Sequence, residues 1–234
     1  MKLYNKKLIS AFCIIVISLG SILTINIFNT KQTFKDSKKK IILIDPGHGG
    51  MDGGAVAKDG TLEKDINLSI SKVLKKDLAK EKYNVIMTRE EDKGLYDETK
   101  NTKVRSKKIE DLNNRCKLKG STNCDMFISI HLNMFPQTQY YGAQVWYSNN
   151  EKSKEFANIL QNNLKEELDS NNKRKEKPAK NSYKILRCND DMPSVIIECG
   201  FLSNLQEREK LKDTEYQKKI SKAIVKSVNM YFKQ

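Results

Sequence analysis

A chain of 234 residues with 43 Lys and Arg against 29 Asp and Glu carries a net charge of +14. Half of that excess lies in the first forty residues, which hold eight lysines and one aspartate, and no nucleic-acid recognition motif accompanies the rest, so nucleic acid is not the expected partner. The chain beyond residue 40 suits one domain with a substantial core, not several.

In residues 1–40, Lys2, Lys6 and Lys7 precede an uncharged stretch over 8–28, and Lys31, Lys35 and Lys38 follow it. A secretory signal has an apolar core of roughly 7–15 residues before a small-residue exit, whereas a membrane-spanning helix needs about 20. The stretch has the greater length and no clear small-x-small exit. It predicts an uncleaved membrane anchor, with a cleaved signal peptide as the alternative. Basic residues on both flanks leave its orientation open. Residues 1–40 are then an anchor or signal with a basic linker, and 41–234 are the folded domain, exported in either case.

Beyond residue 40, apolar runs alternate with amphipathic ones. Residues 41–45 predict a buried strand. Leu62, Ile66, Ile70, Val73, Leu74 and Leu78 recur at helical spacing and predict a helix over 62–81, with Thr61 as its cap. A strand follows over 84–89, then a charge-rich surface loop over 90–103 and a helix over 104–118. Residues 126–131 and 143–147 predict strands, and Phe156, Ile159, Leu160 and Leu164 line one face of a helix over 151–168. A polar loop over 169–181 holds Lys173, Arg174, Lys175, Lys177 and Lys180. It reads as a solvated face, or as an attractor for an anionic polymer or an acidic regulatory protein. Strands are predicted over 183–186 and 194–198. Asn204 with Glu207 resembles a capping box opening a short helix, and Ile220, Ile224, Val228 and Tyr231 stripe the last one. This alternation predicts an α/β fold with a largely parallel sheet, whose sites form beyond the carboxyl ends of its strands.

The only two histidines stand at such ends. His48 leaves the first strand within the glycine cluster DPGHGGMDGGA, His131 ends MFISIH, and Glu198 ends SVIIE. Imidazole and charged groups on the ends of apolar strands are costly without partners, and three of them point to one shared site. Two histidines with a carboxylate, leaving a position for water, form a catalytic zinc set. Glu63 at the mouth of the first helix, Asp45, Asp52 and Glu198 are the candidate carboxylates, and Asp45 is close enough in sequence to orient a histidine from behind. The glycines at 47, 49, 50, 53 and 54 lack the lysine and Ser/Thr of a P-loop and suit backbone wrapped around a metal loop. Cys13 lies in the leader. Cys116, Cys124, Cys188 and Cys199 make no C-x-x-C pair. A domain of this size does not need cross-links, so they are expected as buried free thiols. Cys199 follows Glu198 on a strand and should face away from it.

The segments DPGHGGMDGGA, TLEKD, TRE, SIHLN and IIECGFLSN, in that order, resemble the zinc-dependent N-acetylmuramoyl-L-alanine amidases of the Amidase_3 family. The resemblance covers essentially all of residues 41–234 and is greatest to the CwlD-type members of sporulation and germination. It implies a single α/β domain around a mixed six-stranded sheet, one Zn2+ held by His48, Glu63 and His131, and Glu198 as the catalytic carboxylate. It also implies hydrolysis of the amide between N-acetylmuramic acid and L-alanine of the stem peptide. The peptidoglycan would be that of spore cortex, where a muramic-acid deacetylase acts next toward muramic lactam. Asn133 would orient substrate or a ligand, or else shape a turn; Arg89 and Arg115 are read as structural. No inserted helix that blocks the metal is expected within 149–182. Two readings compete. One is a thiol hydrolase using Cys199 with His131, disfavoured by the direction Cys199 faces. The other is a non-catalytic peptidoglycan-binding module, which would have lost a ligand or Glu198, whereas all four residues are present.

Overall fold

The computed structural model describes residues 39–100 and 103–233; the anchor expected over 8–28 and Cys13 lie outside them. Among the described residues no helix is long and apolar enough to cross a membrane. The strands β1 (Ile41–Pro46), β2 (Asn84–Met87), β3 (Met126–Asn133), β4 (Gln144–Tyr147), β5 (Lys177–Pro178) and β6 (Ser194–Phe201) form one sheet in the order β2-β1-β3-β6-β4-β5. β2, β1, β3 and β6 run parallel, while β4 is antiparallel to β6 and parallel to β5. The result is a single α/β domain on a mixed, mostly parallel six-stranded sheet.

The central strands are apolar on both faces because both faces are covered. Every residue of β6 is buried, as is β1 from Ile42 onward. One face carries α1 (Glu63–Lys80), α3 (Glu151–Leu168) and α6 (Thr214–Phe232). Ile66, Ile70, Leu74 and Leu78 of α1 share the larger core with Phe156 and Leu160 of α3 and Ile220, Ile224 and Val228 of α6. Each such side chain contributes roughly 1.5–3 kcal/mol by leaving water. The other face carries α2 (Val104–Ser121) and the one-turn α4 (Lys184–Arg187), and its smaller core includes Leu43, Phe127, Ile185 and Ile196. A short α5 (Leu205–Lys212) leads into α6.

Five local expectations change. Residues 183–186 are not a strand: Lys184–Arg187 forms one helical turn, and the sixth strand is the two-residue β5 upstream. An apolar run this short fixes no period, so burial of Ile185 and Leu186 does not distinguish the two. The strands β3 and β6 also run two and three residues beyond their predicted ends. Thr61 does not cap α1; Leu62 occupies the N-cap without a side-chain bond, and Glu63 and Asp65 in the first turn complement the helix dipole instead. Asn204 does cap α5, accepting from the Glu207 N–H, but Glu207 turns its own carboxylate to the N–H groups of Gly142 and Phe201. Finally, Cys116 and Cys188 form a disulfide across 72 residues, and among the described residues Cys124 and Cys199 are the free cysteines, both buried. One turn of helix cannot hold itself by local bonds, and the bridge fastens the end of α4 to α2.

Candidate metal centre and active site

After β1 the chain turns beneath the end of β3, where Gly47 donates to the Ile130 carbonyl at 3.0 Å. His48 has φ of 62° and Gly54 of 69°, left-handed conformations that single residues hold in tight loops. Space also dictates glycine here. A Cβ on Gly47 would overlap the His131 ring, and one on Gly54 would lie 2.6 Å from Glu63 Oε2 and 2.7 Å from His48 Cδ2.

Two buried arginines fix the carbonyls of this loop, which bears out their structural reading. Arg89 donates to Pro46 and Gly47 at 3.0 Å each and to Lys64 at 2.9 Å. Arg115 donates to Pro46 at 2.9 Å, to His48 at 2.7 Å and to Asp45 Oδ1 at 2.6 Å. Burial opposes the charge on Asp45, but Arg115, Thr88 and Ser129 bring its carboxyl down to about 2. Asp45 therefore does not orient a histidine. Asp52 does: its Oδ2 accepts from His48 Nδ1 at 2.9 Å, and its Oδ1 pairs with Lys108 at 2.8 Å. The bridge between Gly49 and Asp52 folds the loop back on itself and brings Asp52 to the ring, whereas Asp45 stays inside β1.

With Nδ1–H given to Asp52, His48 presents Nε2 to Glu63 Oε2 at 3.3 Å, and His131 presents Nδ1 to Glu63 Oε1 at 3.0 Å. Glu63 is 3% exposed. Its oxygens also accept from the N–H groups of Ala55 and Leu132 and from Asn67 Nδ2. Burial works against its charge, but the two imidazoles hold its carboxyl well below the usual range. Burial likewise disfavours a charged His48, yet hydrogen bonds to Asp52 and Glu63 push it up to about 9. Donor atoms of His48, Glu63 and His131 all lie within 4.8 Å of one another. Two imidazoles and an ionised carboxylate converging on one point, in a loop too crowded for a Cβ, fit a zinc ion.

Glu198 completes the group. It is the Cα partner of His131 across β3 and β6, so both side chains stand on one face. It is 8% exposed, and its Oε2 has no hydrogen-bond partner among the described residues. Burial pushes its carboxyl up to about 7 against the pull of His131. Cys199 lies in the larger core on the opposite face, where burial raises its thiol far above the usual value, so no thiolate faces His131. Asn133 accepts from the Met134 N–H at 2.8 Å. Two neighbours escaped the sequence reading. Asn67 stands one helical turn after Glu63, a spacing that signals a shared face. Gln144 is the Cα partner of Glu198 across β4, and no sequence signal links them. A groove of about 670 Å³ opens between the loop after β3 and the turn after β6, lined by residues including Phe135, Leu202 and Arg208. A larger one, about 780 Å³, lies between α1 and α6, away from the cluster.

Fold and cluster together define the class, a hydrolase whose site could hold a metal ion. A family model described as N-acetylmuramoyl-L-alanine amidase (Amidase_3) matches residues 42–230, and the chain belongs to that family. It is 38% identical over 224 residues to the germination-specific N-acetylmuramoyl-L-alanine amidase of Bacillus subtilis, covering 92% of each. Among solved structures, the CwlD amidase of Clostridioides difficile, in complex with the GerS lipoprotein, is 44% identical with a TM-score of 0.81, covering 83% of this chain and 99% of that one. An N-acetylmuramoyl-L-alanine amidase from Clostridium difficile 630 is 30% identical with a TM-score of 0.72, covering 84% and 98%.

Proposed function

We propose that the chain is a zinc-dependent amidase that cleaves the bond between N-acetylmuramic acid and L-alanine in the peptidoglycan of spore cortex. The carrying observation is the pairing of a convergent His48–Glu63–His131 donor set with an unpartnered carboxyl, Glu198, beside His131. His48 through Nε2, His131 through Nδ1 and Glu63 through a carboxylate oxygen would hold the ion. When bound, zinc supplies Lewis acidity to water and to the amide carbonyl. Glu198 takes the proton from the attacking water and delivers it to the leaving nitrogen of L-alanine. Asp52 keeps His48 in the tautomer that exposes Nε2.

The cortex assignment draws support from the germination-specific name of the B. subtilis relative. On this reading the enzyme acts outside the cytoplasmic membrane, held there by residues 8–28. A separate muramic-acid deacetylase takes its product toward muramic lactam, and a regulatory protein partner, of the kind seen with the C. difficile CwlD amidase, is expected. The test is digestion of purified peptidoglycan with zinc-loaded protein, reading products by mass. Stem peptides with a free L-alanine amino terminus are the expected product, lost on chelation and restored by zinc. Cleavage that persists in metal-free protein would overturn the reading.

A further inference from the structure

The basic loop 169–181 holds one cation unlike its neighbours. Lys173, Lys175, Lys177 and Lys180 are exposed, whereas Arg174 is half-buried and fixed. Its Nε donates to the Tyr141 carbonyl at 2.7 Å and its Nη1 to Gln144 Oε1 at 3.4 Å. The guanidinium lies 4.5 Å from the centroid of the buried Phe201 ring and 6.0 Å from that of Tyr140. The backbone around it is braced as well. Asn172 is 4% exposed, donates to Ala143 and accepts from the Arg174 N–H. Gly142 packs so tightly on Asn172 that a Cβ would lie 2.6 Å from its Oδ1.

For all this support, Arg174 has no carboxylate within ion-pair distance among the described residues, and its Nη2 has no hydrogen-bond partner among them. The nearby acid, Glu207, directs both its oxygens to backbone N–H groups of Gly142 and Phe201. An arginine held by neutral acceptors and aromatic faces keeps its charge and part of its fork for something else. Its location says what. Gln144, which it grips, is the Cα partner of Glu198, and opposite residues on antiparallel strands share a face. Arg174 thus contacts the residue that stands directly opposite Glu198 in the sheet.

We propose that Arg174 is a substrate anchor that receives a carboxylate of the peptidoglycan stem peptide while Glu198 works on the amide bond. The proposal rests on the amidase reading. An arginine fork matches a carboxylate, the stem peptide is the part of the substrate that carries carboxylates, and the surrounding lysines extend the same attractive field.

The test uses the zinc-loaded full chain and two muropeptides of equal glycan length, one with free stem-peptide carboxylates and one with those carboxylates converted to carboxamides. The wild type should favour the carboxylate form in kcat/KM by roughly ten- to hundred-fold, mainly through KM, the range of one charge-assisted contact. R174Q, which retains hydrogen-bond donors without the charge, should bring the preference close to unity, and R174K should restore part of it. A preference that survives in R174Q, or none in the wild type, overturns the anchor. Binding of both muropeptides to E198Q and to E198Q/R174Q, read by calorimetry, separates this from the amidase reading. A carboxylate preference in binding that needs Arg174 supports the anchor even if the wild type cleaves neither compound, a result that would instead sink the amidase.

Discussion

Glu63 at the mouth of α1 and Glu198 at the end of β6 are both buried and both beside His131, yet their surroundings are opposite. Glu63 receives two backbone N–H groups, an asparagine amide and two imidazoles. Glu198 has no such donor on Oε2, and its carboxyl rises where that of Glu63 falls. Burial alone penalises either charge; the donors decide which carboxylate keeps it. One end of the site is built to stay ionised and grip. The other is left bare and can exchange a proton.

The largest effect should come from removing the bare carboxylate. E198Q should lower turnover by roughly 10²–10⁴-fold while zinc content and fold stay as in the wild type, read by metal analysis and circular dichroism; a parallel loss of zinc would make Glu198 a ligand and erase the contrast. A second effect sharpens it through pH. Glu198 titrates near 7 in the folded metal-free protein against an ordinary 4.5. The folded state therefore holds this proton more tightly. The stability it contributes is complete below about 4.5 and is lost as pH rises through 7. In denaturant melts of metal-free protein, E198Q should gain on the wild type between pH 5 and pH 8, by at most about 3 kcal/mol. A gap that does not change with pH would mean that Glu198 ionises normally. The smallest effect concerns the gripping end. D52A removes the acceptor that orients His48 and should weaken zinc binding by about 10–100-fold, measured by competition with a chelator, and at neutral pH it should also lower apo stability, because Asp52 supports the charge on His48.

Much of this architecture was legible in the chain. β1, β3 and β6 announce themselves as apolar runs, and α1, α3 and α6 as stripes, because burial on one or both faces imposes those patterns. The two histidines and Glu198 stood out as groups at strand ends, whereas Glu63 was one of four candidate carboxylates and only the family resemblance singled it out. What escaped is what side-chain pattern does not encode. β5 pairs through the backbone of Lys177 and Pro178, both exposed. The Cys116–Cys188 bridge depends on α4 being a helix, which four residues cannot signal. Whether Asp45 or Asp52 meets His48 is set by how a glycine loop bends, and the fastening of Arg174 to Gln144 joins segments with no shared period.

The order of the sheet has a consequence for a growing chain. β6 is the last strand made, yet it sits in the interior, between β3 and β4. Until it is made, no strand joins β3 to β4, and Glu198 is not yet beside His131. A nascent or truncated product ending before Ser194 would carry every donor of the His–Glu–His set and still lack Glu198.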